Sequence, residues 1–291
     1  MSLEPHFITV NGVTLHVVSG GSGPPIIFLH GFPACWAVWT RSMEALQDSF
    51  HVIALDGRGV NLSSKPAALD AYHIDVLAQD VIALADAFAL ETFFLVGHDW
   101  GGTLAWKVAQ RYSERVERMV IINAPPLEAL LYALAVQPQQ REASAYMERL
   151  KAPTAEAVLL ADNAALLWQI SFAGYRQRGV YTAEDEAYDR RAWHTEGALT
   201  GFLNWYRANI PPVETLTAEA YAPTVVPSIP VPALLLWGEQ EKAFTPELCA
   251  LIPQYAPYVS IYEVAGADHW IMLDQPADLQ RRLRTVFSAL G

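Results

Sequence analysis

An α/β fold with a mostly parallel sheet is predicted by three features of the sequence. Short continuous apolar runs recur along the chain, helical patterns stand between them, and a hairpin precedes both. The hairpin comes first, with Phe7–Val10 and Val13–Val18 flanking Asn11-Gly12, two residues that tolerate positive φ at the centre of a tight turn. A loop from Ser19 through Pro25 follows. The apolar runs are Ile26–Leu29, His51–Leu55, Phe93–Val96, Met119–Ile122, Ala233–Trp237 and Val259–Val264. None alternates with polar residues, which is the pattern of strands covered on both faces. Helical periodicity between the runs predicts helices over Trp39–Leu46, Ile74–Phe88, Gly102–Tyr112, Pro246–Ile252 and Pro276–Leu290.

The alternation stops at Ala124-Pro125-Pro126 and resumes near Val231-Pro232. The stretch between is rich in Ala, Leu, Tyr and Trp, reads as helices, and closes on several prolines, as domain boundaries often do. This divides the chain into a core of residues 1–125 and 229–291 and a helical insertion, 126–228, leaning over one edge of the sheet.

Composition narrows the function. Of 291 residues 52% are hydrophobic and 17% charged, against about 25% charged in an average soluble protein. The chain is core-rich and not disordered. No apolar run reaches the ~18 residues of a membrane span, and the opening Met1-Ser2-Leu3-Glu4-Pro5-His6 lacks the basic and apolar stretches of a signal peptide. A formal charge of −12 with only short basic clusters argues against nucleic acid. Cys35 and Cys249 form no disulfide framework and no zinc spacing, and are expected to be small buried hydrophobes. A soluble cytoplasmic protein, monomeric or homodimeric, with no metal and no cofactor, is the expectation.

The sharpest chemical signal is Gly97-His98-Asp99-Trp100-Gly101-Gly102, where a strand meets a helix through a turn with glycine on both sides. This is the layout of a nucleophile elbow, with Asp99 where serine usually stands. A triad in chain order needs an acid and a histidine at the ends of later strands. His269 follows the last strand, and Gly238-Glu239-Gln240-Glu241 supplies two carboxylates after the strand before it, one of which orients the imidazole. An aspartate changes the reaction that makes sense. With an ordinary pKa of ~3.9 it is already ionised and needs no base to attack. Attack on an acyl carbon would give a high-energy anhydride, so an sp3 carbon bearing a strained oxygen or a halide is the better target. The product is an ester on Asp99, and His269 is then free to activate the water that hydrolyses it. Charge building on the ester carbonyl oxygen needs backbone donors, and the N–H groups of Trp100 and Phe32 are positioned to supply them.

These segments resemble the α/β-hydrolase superfamily and, within it, the soluble epoxide hydrolases, over nearly the whole chain. His30-Gly31-Phe32-Pro33-Ala34-Cys35-Trp36-Ala37-Val38-Trp39 is similar to the family's oxyanion segment, Gly97–Gly102 to its nucleophile segment and Gly266-Ala267-Asp268-His269-Trp270 to its histidine segment. The resemblance implies an α/β-hydrolase fold whose insertion is a cap, with two cap tyrosines that hydrogen-bond the epoxide oxygen. Thr200–Arg207 is similar to the segment carrying the second, which maps to Tyr206, and the family's seven-residue spacing to a proline maps the first to Tyr146, ahead of Pro153. The triad acid, usually Asp, maps to Glu241. Gly57 and Val60 stand where the family often has a bulky residue and a tyrosine, a change that would widen the floor of the site. A pocket between sheet and cap, lined by Phe32, Trp36, Trp100, Phe172 and Trp205, would take a small hydrophobic epoxide or organohalide.

Dehalogenases share the aspartate elbow and are the nearest rival. Haloalkane dehalogenases tend to carry Asn or Glu at the position of Phe32, and fluoroacetate dehalogenases carry arginines after the nucleophile, where this chain has Thr103-Leu104. Trp100 and Trp205 remain as halide donors. A serine-type esterase is disfavoured by Asp99, and a ligand receptor without catalysis by the apparent triad.

Overall fold

The computed structural model describes residues 2–288. Ala289 and Leu290, the end of the helix predicted from Pro276, lie outside the described residues. Eight strands, β1 (Glu4–Val10), β2 (Val13–Gly20), β3 (Pro25–Leu29), β4 (His51–Leu55), β5 (Phe93–His98), β6 (Val116–Ile122), β7 (Ala233–Gly238) and β8 (Val259–Val264), form one sheet in the order β1-β2-β4-β3-β5-β6-β7-β8. β2 is antiparallel to both of its neighbours, and every other pairing is parallel. The hairpin turns at Asn11 (φ 46°) and Gly12 (φ 74°), with Val10 opposite Val13. β2 runs further than its apolar run, because Ser19 and Gly20 pair with Ile53 and Val52 of β4.

One strand departs from the expectation of double coverage. β8 is the last strand of the sheet, and Ser260, Ile261, Tyr262 and Glu263 are exposed. With a neighbour on one side only, it buries little beyond Val264, and Tyr262 is shielded by the Arg282 guanidinium 3.6 Å from its ring centre. The inner strands behave as read. Ile26, Ile27, Phe28, Val52, Ile53, Leu95 and Val96 are completely buried, each such side chain worth roughly 1.5–3 kcal/mol in removal from water.

The crossovers and the termini of the sheet carry α1 (Thr40–Leu46), α2 (Ile74–Ala87) and α3 (Trp100–Arg111). Between β6 and β7 lie α4 (Leu127–Val136), α5 (Pro138–Ala143), α6 (Tyr146–Lys151), α7 (Ala155–Ser171), α8 (Ala173–Gln177), α9 (Ala183–His194), α10 (Ala198–Asn209) and α11 (Ala218–Tyr221). The chain then returns through α12 (Pro246–Tyr255), α13 (Ile271–Asp274) and α14 (Pro276–Ser288).

The inserted helices are joined to the core by specific contacts of α10. Asn209 at its end accepts the Ile74 N–H at 2.8 Å and donates to Tyr72 O at 2.9 Å, so it caps α2. A Cβ on Gly201 would meet Gly59 O at 2.3 Å, and one on Gly57 would meet the Trp205 ring at 2.6 Å. The small residue at position 57 therefore does not widen a floor. It makes room for Trp205, whose indole N–H donates to Arg58 O at 2.9 Å. The Arg58 guanidinium itself is buried in a bidentate pair with Asp80, both bonds at 2.7 Å. Removing either partner would leave a buried charge alone, at a cost of about 3–5 kcal/mol.

α7 is not one helix. Ala161 leaves the helical region, and Asp162, Asn163 and Ala164 follow at φ 50°, 55° and 58°. Left-handed backbone suits Asn and Asp better than a residue with an ordinary Cβ, so Ala164 is strained there and its burial holds it in place.

Candidate active site

The centre of the site is made by close approach of backbone. Asp99 sits at φ 52°, ψ −124° between the end of β5 and the first turn of α3. The turn is possible because a Cβ at Gly101 would stand 2.2 Å from Leu29 O, and one at Gly31 would stand 2.3 Å from Asp99 Cβ. Only glycine admits both contacts. The strained turn holds the Asp99 carboxylate between the end of the sheet and the start of α3.

There it is held asymmetrically. Phe32 N–H donates to Oδ1 at 2.8 Å, and the Trp100 N–H bonds the same carboxylate. Oδ2 faces His269 Nε2 at 3.7 Å. Burial raises the Asp99 pKa, against the pull of His269 and the two N–H donors. On its other side His269 donates through Nδ1 to Glu241 Oε2 at 2.7 Å, and Glu241 Oε1 accepts the Ala243 N–H at 2.5 Å. The Glu241 side chain is 1% exposed. Glu239 turns elsewhere and accepts the Gly266 N–H at 2.7 Å. Burial alone would lower the His269 pKa, but Glu241 first, then Asp99 and Asp268, push it up to about 9.

Two residues that support this group were not singled out by sequence reasoning. Asn123, after β6, donates to Asp268 O at 2.9 Å and His269 O at 3.0 Å while its Oδ1 accepts Gly238 N–H at 2.8 Å. One side chain thus joins the loops carrying the acid and the histidine. His98 Nε2 donates to His269 O at 2.8 Å, and burial holds its pKa well below the ordinary histidine value, so it stays neutral. His98 lay inside the elbow motif. Asn123 had no signal beyond its position before the two prolines.

Asp99 and His269 open into a cavity of about 620 Å³. Tyr146 from α6 and Tyr206 from α10 stand on its wall with Phe32. Burial above all, with neighbouring charge, raises both phenols, which remain protonated donors. The rest of the wall is mostly apolar and comes mainly from α6 and α7, with Leu150, Val158, Leu159, Leu166 and Ile170 beside Arg149, Thr154 and Ser171. These side chains carry no motif, and the sequence did not reveal them.

Three predicted lining aromatics lie elsewhere. Trp36 turns outward from the cavity, with its main-chain N–H on Asp56 and its indole N–H on the Tyr188 hydroxyl at 2.8 Å. Phe172 is fully buried, stacked on Tyr181 at 4.9 Å and tilted against Trp270 at 4.7 Å. Trp205 fills the space over Gly57. Each is packing at the seam between the inserted helices and the core, where large aromatic surface is most readily buried. Trp100 lies behind Tyr206, with ring centres 5.1 Å apart, and borders a small space beside the main cavity.

Comparison with known proteins agrees with this architecture. The family model described as alpha/beta hydrolase fold matches residues 24–276. The chain belongs to the α/β-hydrolase family. Among relatives of this α/β-hydrolase, the AB hydrolase superfamily protein YfhM of Bacillus subtilis is 33% identical over 93% of each chain. Epoxide hydrolase 3 of Mus musculus is 31% identical over 93% of this chain and 73% of its own length. The crystal structure of an epoxide hydrolase from Bacillus megaterium superposes with a TM-score of 0.89 at 30% identity, covering 97% of this chain and all of that one. A mutant of that enzyme, complexed with its product (R)-3-[1]naphthyloxy-propane-1,2-diol, superposes at 0.88 with 29% identity, again over 97% of this chain and all of that one.

Among the described residues of this α/β-hydrolase, no helix is long and apolar enough to cross a membrane. Nor, among them, do three or more His, Cys, Asp or Glu converge as a metal site. Cys35 and Cys249 are free and buried, and burial raises both thiols, Cys249 to about 12.

Proposed function

We propose that this α/β-hydrolase opens small apolar epoxides to diols through a covalent ester on Asp99, with residues 126–228 acting as a cap over the site. The observation that carries the reading is the pair of phenols, partly buried Tyr146 and buried Tyr206, on the same cavity wall as the Asp99 carboxylate. Asp99 Oδ2 attacks the epoxide carbon, the ring C–O bond breaks, and its electron pair stays on the epoxide oxygen. The two hydroxyls stabilise that developing alkoxide and protonate it. Such donors act most strongly in a site closed to water.

His269 then takes a proton from water, and the hydroxide adds to the ester carbon of Asp99. Negative charge builds on Oδ1, which already rests on the Phe32 N–H, with the Trp100 N–H on the same carboxylate. Collapse breaks the acyl C–O bond to Oδ2, and the proton of the added hydroxyl passes to the departing alkoxide, releasing the diol and restoring the carboxylate. The proton held by His269 returns through solvent to the tyrosine that protonated the ring oxygen. The two steps are coupled electrostatically. Alkylation removes the charge of Asp99, one of the groups that keep the His269 pKa high, so the imidazole becomes a free base at the step that needs one.

Halide displacement is less well served. Trp205, one of the two tryptophans offered as halide donors, has its indole N–H engaged by Arg58 O, and Phe32 brings no side-chain donor. The first substrate to try is the 1-naphthyl glycidyl ether corresponding to the diol held by the Bacillus megaterium enzyme, beside alkyl epoxides and a set of haloalkanes and fluoroacetate. Diol formation is expected. Halide release without diol would replace this reading with a dehalogenase, and no turnover of any member would favour a receptor.

A further inference from the structure

Asp268 stands next to His269 in the chain, and neither it nor Asp274 takes part in the reaction proposed above. Both carboxylates are gripped by the inserted helices. Tyr175, a buried residue of α8, donates its hydroxyl to Asp268 Oδ1 and lies 3.3 Å from Asp274 Oδ2. Arg178, just beyond α8, pairs with Asp274 Oδ1 at 2.8 Å, and its guanidinium lies 4.4 Å from the centre of the Tyr175 ring.

On the core side the same carboxylates hold the main chain around the imidazole. Asp274 Oδ2 accepts the Asp268 N–H at 2.9 Å, and Asp268 Oδ1 accepts the Trp270 N–H at 2.9 Å. With Asn123 and His98 bonding the Asp268 and His269 carbonyls from beneath, the segment is pinned from both directions. Burial would raise Asp268, yet the Trp270 N–H and the Tyr175 hydroxyl hold it below the ordinary carboxylate value. Two adjacent carboxylates repel unless donors separate their charge. Here the donors come largely from the insertion. An exposed ion pair alone would contribute little, but the Asp274 side chain is only 5% exposed.

We infer that Tyr175 and Arg178 are positioning residues which, through Asp268 and Asp274, align His269 for ester hydrolysis while α8 is seated on the core. The inference rests on the proposed ester mechanism. It separates the two steps, because Asp99 attacks without a base and ring opening does not depend on where the imidazole points. Hydrolysis does, and a displacement of about 1 Å in a reacting group can cost ~100-fold.

The experiment is a rapid-quench single turnover of Tyr175→Phe, Arg178→Gln and Arg178→Lys with an epoxide that the parent enzyme converts. Formation of the ester should stay within about twofold of the parent, while its decay slows roughly tenfold or more in Tyr175→Phe and Arg178→Gln. Arg178→Lys, which keeps the charge on Asp274, should recover most of the loss. Equal slowing of both steps, slowing of ring opening alone, or unchanged decay in both variants would overturn the inference. Arg178 is half-exposed, so Arg178→Gln keeps the test alive if Tyr175→Phe fails to fold. His269→Gln is the control for the mechanism: if it accumulates no ester, the reaction itself is misassigned, whatever the Tyr175 and Arg178 variants do.

Discussion

The sheet and the inserted helices face each other across one cavity, and they hold their side chains by different means. On the sheet side Asp99, Phe32, Glu241 and His269 are fixed by main-chain contacts: glycines that admit close approach, N–H groups on a carboxylate, and Asn123 between two loops. On the helical side α10 is bound in that manner through Asn209, Gly201 and Trp205. α5 is bound through Gln140 on Ala243 O and the Thr245 N–H, and α9 through the Trp193 indole on Pro33 O, but α7 has no such bond among the described residues. α7 presents its wall as two segments across a left-handed break, and Val158, Leu166 and Ile170 are 51%, 46% and 63% exposed even as they line the cavity. The proposed nucleophile, acid and histidine therefore stand where backbone geometry leaves no slack, and much of the pocket wall is made of partly exposed side chains. Substitutions on the two sides should differ in kind.

The largest effect is expected at the proposed nucleophile. Asp99→Ala should abolish both ester and diol, a loss on the order of 10⁶-fold as for nucleophiles of other hydrolases; residual diol formation anywhere near the parent rate would mean that water attacks directly. Next comes the acid. Glu241→Gln should leave ring opening nearly intact while hydrolysis falls roughly 10³–10⁴-fold, with the ester visible by mass on the Asp99 peptide. Glu239→Gln, whose carboxylate serves Gly266, should leave both steps unchanged.

Tyr146→Phe and Tyr206→Phe cross to the helical side, to the two phenols proposed to bond the epoxide oxygen. Each should slow ring opening by ~100-fold or more and spare hydrolysis of an ester already formed. Full activity in either variant would remove that phenol from the mechanism.

pH should separate the steps as well. Ring opening needs ionised Asp99, so it declines as pH falls through a carboxyl pKa lying above the ordinary aspartate value. Hydrolysis needs neutral His269 and declines as pH falls through the imidazole pKa, which in the ester should lie below the value of about 9 set by the free enzyme's charges. Coincident pH profiles for burst and decay would contradict that ordering. The smallest effect is expected at the wall. Ile170→Ala or Val158→Ala should shift KM and the preference among epoxides by a few-fold with kcat for the best substrate nearly kept, since partly exposed side chains lose little burial on truncation.

The same contrast explains what the sequence disclosed. The elbow was legible because its glycines are required by distances near 2 Å, and such requirements leave fixed spacings. His269 was legible from chain order at strand ends, which left the acid open between Glu239 and Glu241 until family resemblance pointed to Glu241. The two tyrosines came from family resemblance, not from any periodicity. The wall residues of α7 were invisible, since Leu, Ile and Val in a helix read the same whether they face a core or a cavity. Trp36, Phe172 and Trp205 were misread for the converse reason: a large aromatic near a predicted site is more readily used to seal the seam between two packed units. The exposed face of β8 was hidden because an apolar run does not reveal which strand has a neighbour on only one side. The break at Asp162–Ala164 has no proline or glycine to announce it, and Asp162-Asn163 is its one local sign.

The two oxygens of Asp99 are not equivalent before any substrate arrives, and this gives the carboxylate a memory. Oδ1 rests on Phe32 N–H and Oδ2 faces the imidazole. On the proposed reaction Oδ2 leaves with each diol and an oxygen from water takes its place, while Oδ1 never departs. In heavy-oxygen water the first diol from each molecule should carry ordinary oxygen and every later one the heavy isotope. However many cycles follow, the enzyme should retain one heavy atom on Asp99 and not two. A second heavy atom would reveal that the carboxylate turns over between cycles, and the rate of its appearance would time that rotation inside the closed site.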